Sequence, residues 1–234
     1  MSGSYTSLQN QYKELIIEKN FTALALLIKQ NENFPPAENI VRLGFKSYLH
    51  EAAGSKVKLF YLMKLKEITS VRPDDDILKE ACEIALGMNS PQILDALIKR
   101  TETSKTIFKE LHAILQKVFT DYVNMGRFMD ISQLIDITGV MPGEELVQNG
   151  YFLYLQEVKF ISFTGLKKRT MIKPDPEMVE QIYRQYFSTY IRVKMASEEQ
   201  GKMWMDRLRK LKRITKMDPP DGIEIEKPEP EMEE

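Results

Sequence analysis

A chain of 234 residues with 43% hydrophobic and 29% charged side chains carries enough apolar mass for a packed core. One cysteine, Cys82, excludes a disulfide framework and a cysteine-rich zinc site, and two distant histidines, His50 and His112, argue against a histidine-based metal centre. The 33 basic and 34 acidic residues leave a formal net charge of −1, and no apolar run approaches the roughly 20 residues of a membrane span. Met1 to Leu15 lacks the basic-then-apolar layout of a secretory signal. The expectation is a protein of cytoplasmic address with no membrane contact.

The opening segment, residues 5–32, reads as a helix pair that caps the N-terminal end of a repeat array. Residues 33–217 then repeat. Leu65 to Pro73, Leu134 to Pro142, Leu166 to Pro174 and Leu211 to Pro219 share one pattern: Leu, three residues, Thr, any residue, an apolar residue, any residue, Pro. Leu97 to Thr101 keeps the Leu and Thr without the Pro, and Leu27 to Pro36 is a worn first copy. Such periodicity decides the architecture before any local propensity does.

The residues after each anchor repeat as well. With Pro36, Pro73, Glu110, Pro142 and Pro174 as position zero, apolar, aromatic or small residues fall at offsets 4, 5, 8, 9 and 12 in every copy. In the Pro142 copy these are Leu146, Val147, Gly150, Tyr151 and Tyr154. That spacing is one stripe of an α-helix. Each repeat therefore holds a helix A, with the anchor expected in its first turn and acidic residues such as Asp74–Asp76 and Glu144–Glu145 against its positive dipole end. A break near Asn89-Ser90-Pro91 or Gly126 leads into a helix B that ends at the Thr. The anchors from Pro36 to Pro219 lie 37, 37, 32, 32 and 45 residues apart, so the last repeat is longer, with its extra residues around Tyr190 to Lys202. The predicted fold is all-α: an α-solenoid of about six stacked helix-turn-helix repeats of 32–45 residues, one domain over residues 1–217. An acidic tail, residues 218–234, is predicted to be disordered.

Pro174-Asp175-Pro176-Glu177-Met178-Val179, and the stretch from Gly126-Arg127-Phe128 to Gly139-Val140-Met141-Pro142, resemble pentatricopeptide repeats over roughly residues 33–217. The resemblance implies helical hairpins that bind single-stranded RNA, about one base per repeat. It aligns Arg42, Lys79, Gln116, Gln148 and Glu180 with the position that reads bases, where the family carries small polar residues.

The repeated Thr69, Thr101, Thr138, Thr170 and Thr215 suit a helix C-terminus, where the hydroxyl bonds a carbonyl of the preceding turn. Phe45, Tyr48, Phe119, Tyr122, Tyr151, Tyr154, Tyr183 and Tyr186 share the apolar face and are expected in the core rather than stacked on bases. Basic residues gather before the Thr: Lys66, then Lys99 and Arg100, then Lys167, Lys168 and Arg169, then Arg207, Arg209, Lys210, Lys212 and Arg213. Stacked repeats would align these as an edge for a polyanion or an acidic protein, although cations at helix C-termini are also favoured by the dipole. Residues 184–216 carry ten basic and three acidic side chains, whereas residues 218–234 carry eight acidic and one basic. The acidic tail could thus compete for the basic repeat beside it.

The chain has no P-loop, dinucleotide-binding glycine pattern, nucleophile elbow or His-Glu-any-any-His zinc helix. No catalytic, cofactor or metal residues are assigned. The expectation is a non-enzymatic scaffold that binds a protein partner through a repeat surface with a basic edge. The eight candidate contact residues are Lys167, Lys168, Arg169, Arg207, Arg209, Lys210, Lys212 and Arg213. The alternative is a pentatricopeptide-like binder of single-stranded RNA.

Overall fold

The structure is a computed structural model that describes residues 2–225. It is all-α, and no strand occurs among the described residues. In chain order the helices are α1 (Ser2–Ile17), α2 (Phe21–Gln30), α3 (Glu38–Leu49), α4 (Ser55–Thr69), α5 (Asp75–Gly87), α6 (Pro91–Thr101), α7 (Ile107–Glu110), α8 (His112–Asn124), α9 (Phe128–Thr138), α10 (Glu144–Gln156), α11 (Phe160–Thr170), α12 (Pro176–Lys194) and α13 (Glu198–Thr215). The packing divides the chain into two compact units. The first ends at Val118 and regains residues 133–140; the second holds residues 119–132 and, among the described residues, 141–225.

Each unit is built from helical hairpins in two layers. In the first, α1, α3 and α5 pack in sequence along one layer, and α2, α4 and α6 along the other. In the second, α10 packs on α12 and α11 on α13, with hairpins α10–α11 and α12–α13 joining the layers. This is the A-on-A, B-on-B stacking expected of bihelical repeats, in which neither helix of a hairpin can bury its apolar stripe alone.

The five-point stripe forms the core of helix A. Offsets 5, 8, 9 and 12 are buried in all five copies, and offset 4 is half-buried in four of them. Offset 8 is glycine twice, for reasons of space. A Cβ on Gly44 would sit 2.5 Å from Cγ2 of Ile16 and 3.0 Å from Cδ2 of Leu65, and one on Gly150 would sit 2.9 Å from Cδ2 of Leu166. The eight aromatics of the stripe are 0–1% exposed.

The anchor prolines stand one step outside the position expected for them. Ala37, Asp74, Gly143 and Asp175 are the extended N-cap residues of α3, α5, α10 and α12, so each anchor precedes the cap rather than entering the first turn. Proline fixes φ in the extended linker and disfavours helix in the residue before it. All four anchor rings are also buried. Where the anchor is Glu110, nothing blocks helix, and the chain forms the extra turn α7 with Phe108 buried beneath it. The added length of the last repeat goes into both helices: α12 has 19 residues and α13 has 18, against 13 in α10 and 11 in α11.

The Thr residues end helix B by one device. Thr69, Thr101, Thr138, Thr170 and Thr215 each donate a hydroxyl hydrogen bond to the Leu carbonyl four residues back, at 2.7–2.9 Å. The following residue is left-handed in every copy: Ser70, Glu102, Gly139, Met171 and Lys216. In four copies the next N–H, from Val71, Val140, Ile172 or Met217, donates back to the threonine oxygen. Met171 adopts φ 61° while 82% exposed, so its side chain gains little from burial in return for the strain. Met171→Gly is expected to raise stability by about 0.5–1 kcal/mol, the relieved strain outweighing the added freedom of the unfolded chain. Urea denaturation of the two proteins checks this.

Beyond Thr215 the chain stays packed for several residues. The Tyr183 hydroxyl donates to the Met217 carbonyl at 2.9 Å, Lys212 pairs with Asp218 at 2.7 Å, and Ile223 is 8% exposed. The rest of the expected acidic tail, from residue 226, lies outside the described residues. No helix of the described residues is long and apolar enough to cross a membrane.

Candidate functional site

All eight candidate contact residues lie on α11 and α13, within the second unit. Two contacts fix the register of these helices. The Lys167 ammonium donates to the carbonyls of Ile214 at 2.9 Å and Thr215 at 3.4 Å. The Lys210 ammonium stands 5.0 Å from the centre of the Phe160 ring. The C-terminal ends of α11 and α13 therefore lie together, and the start of α11 lies beside the middle of α13: the helices run parallel.

The eight cations divide by role. Lys167 is half-buried and spent on the carbonyl end of α13; burial, and then the nearby charge of Lys216, hold its pKa below the usual lysine value. Arg209 pairs with Asp206 at 2.6 Å and Lys212 with Asp218 at 2.7 Å. Arg207 stacks on Trp204, 4.2 Å from the ring centre. Arg169 is half-buried. Lys168, Lys210 and Arg213 are exposed, and no carboxylate among the described residues pairs with them. Helix α11 contains no acidic residue at all.

The basic edge does not extend in this form through the first unit. Lys66 pairs with Glu102 at 2.5 Å, and Lys99 with Asp95 at 2.6 Å. Helix α9 carries Ile135, Asp136 and Ile137 at the corresponding places. Arg100 is exposed and no carboxylate among the described residues pairs with it, so of this edge the first unit leaves Arg100 unpaired, against Lys168, Lys210 and Arg213 on α11 and α13.

Three of the five positions aligned with base reading, Arg42, Lys79 and Gln148, are held at the next anchor, while Glu180 pairs with Arg184 on its own helix at 2.6 Å. Gln148 Nε2 donates to the Lys173 carbonyl at 2.8 Å, and its Oε1 accepts from the Asp175 N–H at 2.9 Å. One side chain thus holds the residues on both sides of the anchor Pro174. Gln9 repeats the arrangement around Pro36, donating to the Pro35 carbonyl at 3.0 Å and accepting from the Ala37 N–H at 2.7 Å. Arg42 reaches Asp74 at 2.6 Å and Lys79 reaches Glu110 at 2.9 Å, again at the next anchor. Three residues on from each glutamine, a tyrosine completes the clamp: Tyr12 donates to the Phe34 carbonyl and Tyr151 to the Ile172 carbonyl. The sequence offers one signal for this clamp, a long polar residue between the offset-5 and offset-8 core positions. Gln148→Ala removes two hydrogen bonds and is expected to cost about 1–2 kcal/mol in urea unfolding without changing ligand binding. Loss of binding at unchanged stability would assign the position to ligand reading instead.

A polar cleft of about 530 Å³ opens in the first unit between the start of α5 and the linker to α7, lined by Arg72, Asp75, Asp76, Lys79, Ser104 and Glu110 among others. Its charges largely answer one another, through Arg72–Asp75 and Lys79–Glu110, each at 2.9 Å. Cys82 is buried, and burial pushes its thiol up to about 12, which keeps it protonated and unreactive near neutral pH. No group of three or more His, Cys, Asp or Glu among the described residues is placed to hold a metal ion. Comparison with protein-family models, with curated proteins and with solved structures finds no match.

Proposed function

We propose that the chain is a non-enzymatic scaffold that holds a protein partner on the cationic face formed by α11 and α13. One observation carries the reading: exposed aliphatic groups, Ile161 at 78% and Met203 at 44%, share this face with the exposed cations Lys168, Lys210 and Arg213, while the stripe aromatics are buried. Protein interfaces use such mixed apolar and cationic surfaces. Single-stranded nucleic acid binding draws instead on aromatic stacking platforms. The commitment of Gln9, Arg42, Lys79 and Gln148 to neighbouring anchors argues in the same direction.

The second reading is a pentatricopeptide-like binder of single-stranded RNA, favoured by the surplus of basic residues over residues 184–216. The two separate in an affinity experiment with the tagged full chain as bait in an extract of its native cells, with and without ribonuclease. The proposal expects a protein retained after ribonuclease treatment, lost when Lys168, Lys210 and Arg213 are changed to Glu, and rebinding when purified. Retention that vanishes with ribonuclease, or that ignores the charge reversal, contradicts it.

A further inference from the structure

The α11–α13 face also has a direction, and the direction describes its partner. On α11, Ile161, Thr164 and Lys168 are exposed, spaced to lie along one side of the helix. On α13, Met203, Asp206 and Lys210 are exposed at the matching spacing, and Arg213 follows three residues on. The helices are parallel in the register set by Lys167 on Ile214 and by Lys210 beside Phe160. Each row therefore begins apolar and ends cationic. From Ile161 to Lys168, and from Met203 to Lys210, each row rises about 10 Å, and Arg213 lies about one turn further on. The cationic end coincides with the carbonyl ends of both helices, whose dipole the lysines and Arg213 offset.

Resting on the scaffold reading, we propose that this face binds an acidic amphipathic helical segment of a protein partner, with apolar residues toward Ile161 and Met203 and carboxylates toward Lys168, Lys210 and Arg213. Charge complementarity selects the acidic occupant: α11 carries no carboxylate, Asp206 in the α13 row pairs with Arg209, and Glu199 stands one turn before Met203, away from the cationic end. Two parallel helices make a shallow trough that suits a helix about three turns long, the helix-in-groove mode. A single-stranded RNA would meet these cations and half-buried Trp204 already covered by Arg207, with no exposed ring to stack on.

The test uses the full chain and a fluorescein-labelled synthetic peptide of about 16 residues whose docking face carries Leu in one half and Glu in the other. Its comparators are the same peptide with Lys for Glu, a scramble of the same composition that mixes the two halves, and oligouridine of similar length. Anisotropy is expected to rise with the Leu/Glu peptide and much less with the comparators. Lys168→Glu, Lys210→Glu and Arg213→Glu together are expected to weaken it about tenfold, the combined loss of three exposed ion pairs. Lys13→Glu, Lys29→Glu and Lys56→Glu, an equal charge change at exposed sites in the first unit, are expected to leave it unchanged. Circular dichroism confirms that both triple variants fold. Equal binding of the Leu/Glu and scrambled peptides, indifference to the α11–α13 reversal, or tighter binding of oligouridine would each overturn the inference. A charge-dependent protein capture beside a silent peptide sinks this inference and leaves the scaffold reading standing; failure of both sinks the two together.

Discussion

Tyr151→Asp is expected to unfold the second unit, whereas Tyr151→Phe should cost only about 1 kcal/mol and Tyr154→Phe nothing. Tyr151 is 0% exposed; its ring centre lies 4.9 Å from that of Phe163, and its hydroxyl reaches the Ile172 carbonyl at 2.8 Å and Thr170 at 3.2 Å. Aspartate removes a large aromatic from the core, a loss of about 3–5 kcal/mol, and places a carboxylate where no cation answers it. That sum rivals the whole stability of a domain this size. Phenylalanine keeps the packing and gives up one hydrogen-bonded hydroxyl. Tyr154 provides the contrast, because its hydroxyl is buried without a hydrogen-bond partner among the described residues. Urea denaturation followed by circular dichroism ranks the three variants. Equal losses for Tyr151→Phe and Tyr154→Phe would mean that the Tyr151 clamp contributes nothing.

Alkaline pH is expected to unfold the chain cooperatively once the buried tyrosines begin to ionise. Burial raises the Tyr122, Tyr154 and Tyr183 hydroxyls to about 12 from an ordinary value near 10, and raises Tyr48 and Tyr186 in the same direction. Smaller charge effects accompany burial, from Glu51 on Tyr48 and from Glu157 on Tyr154. The native state thus favours the neutral phenol. A raised acid pKa contributes its full stabilisation below the unfolded value, near pH 10, and loses it as the pH rises through the folded values. The affected window runs from about pH 10 to 12, and several tyrosines lose their contribution across it together. Absorbance at 295 nm and helicity should therefore change together in that window. Independent tyrosine titration near pH 10 with full helicity retained would show that these hydroxyls are not held in the core.

Much of this fold is legible in the sequence because the signals are local. A five-point stripe at helical spacing needs only the geometry of one helix, and the repeat places it five times. The threonine that ends helix B bonds a carbonyl four residues away, so its role also lies within reach of sequence reasoning. What the sequence hides is set between repeats. Lys66 and Lys167 sit three residues before their threonines and read alike, yet one pairs with Glu102, 36 positions on, and the other with the carbonyl end of α13, 47 positions on. Lys168, beside Lys167, is left exposed. Which lysine is structural depends on which side of α11 meets α13, and composition does not record that. The Gln148 clamp is hidden for the same reason: its partners flank an anchor more than 20 residues away. The proline that marks each helix start also proves to lie in the linker, because a residue that stops helix behind it and buries its ring suits the junction better than the first turn.

The α11–α13 face is proposed to serve a protein rather than a nucleic acid. The most direct test is fluorescence anisotropy of the full chain with a labelled single-stranded RNA, measured at low and at physiological salt. Weak association is expected at low salt and none at physiological salt, because Lys168, Lys210 and Arg213, the exposed candidate cations that no carboxylate among the described residues pairs with, give a polyelectrolyte contribution without stacking or base reading. Tight binding at physiological salt, falling linearly in log K against log salt and abolished by reversing Lys168, Lys210 and Arg213, would contradict it and make RNA the ligand of this face.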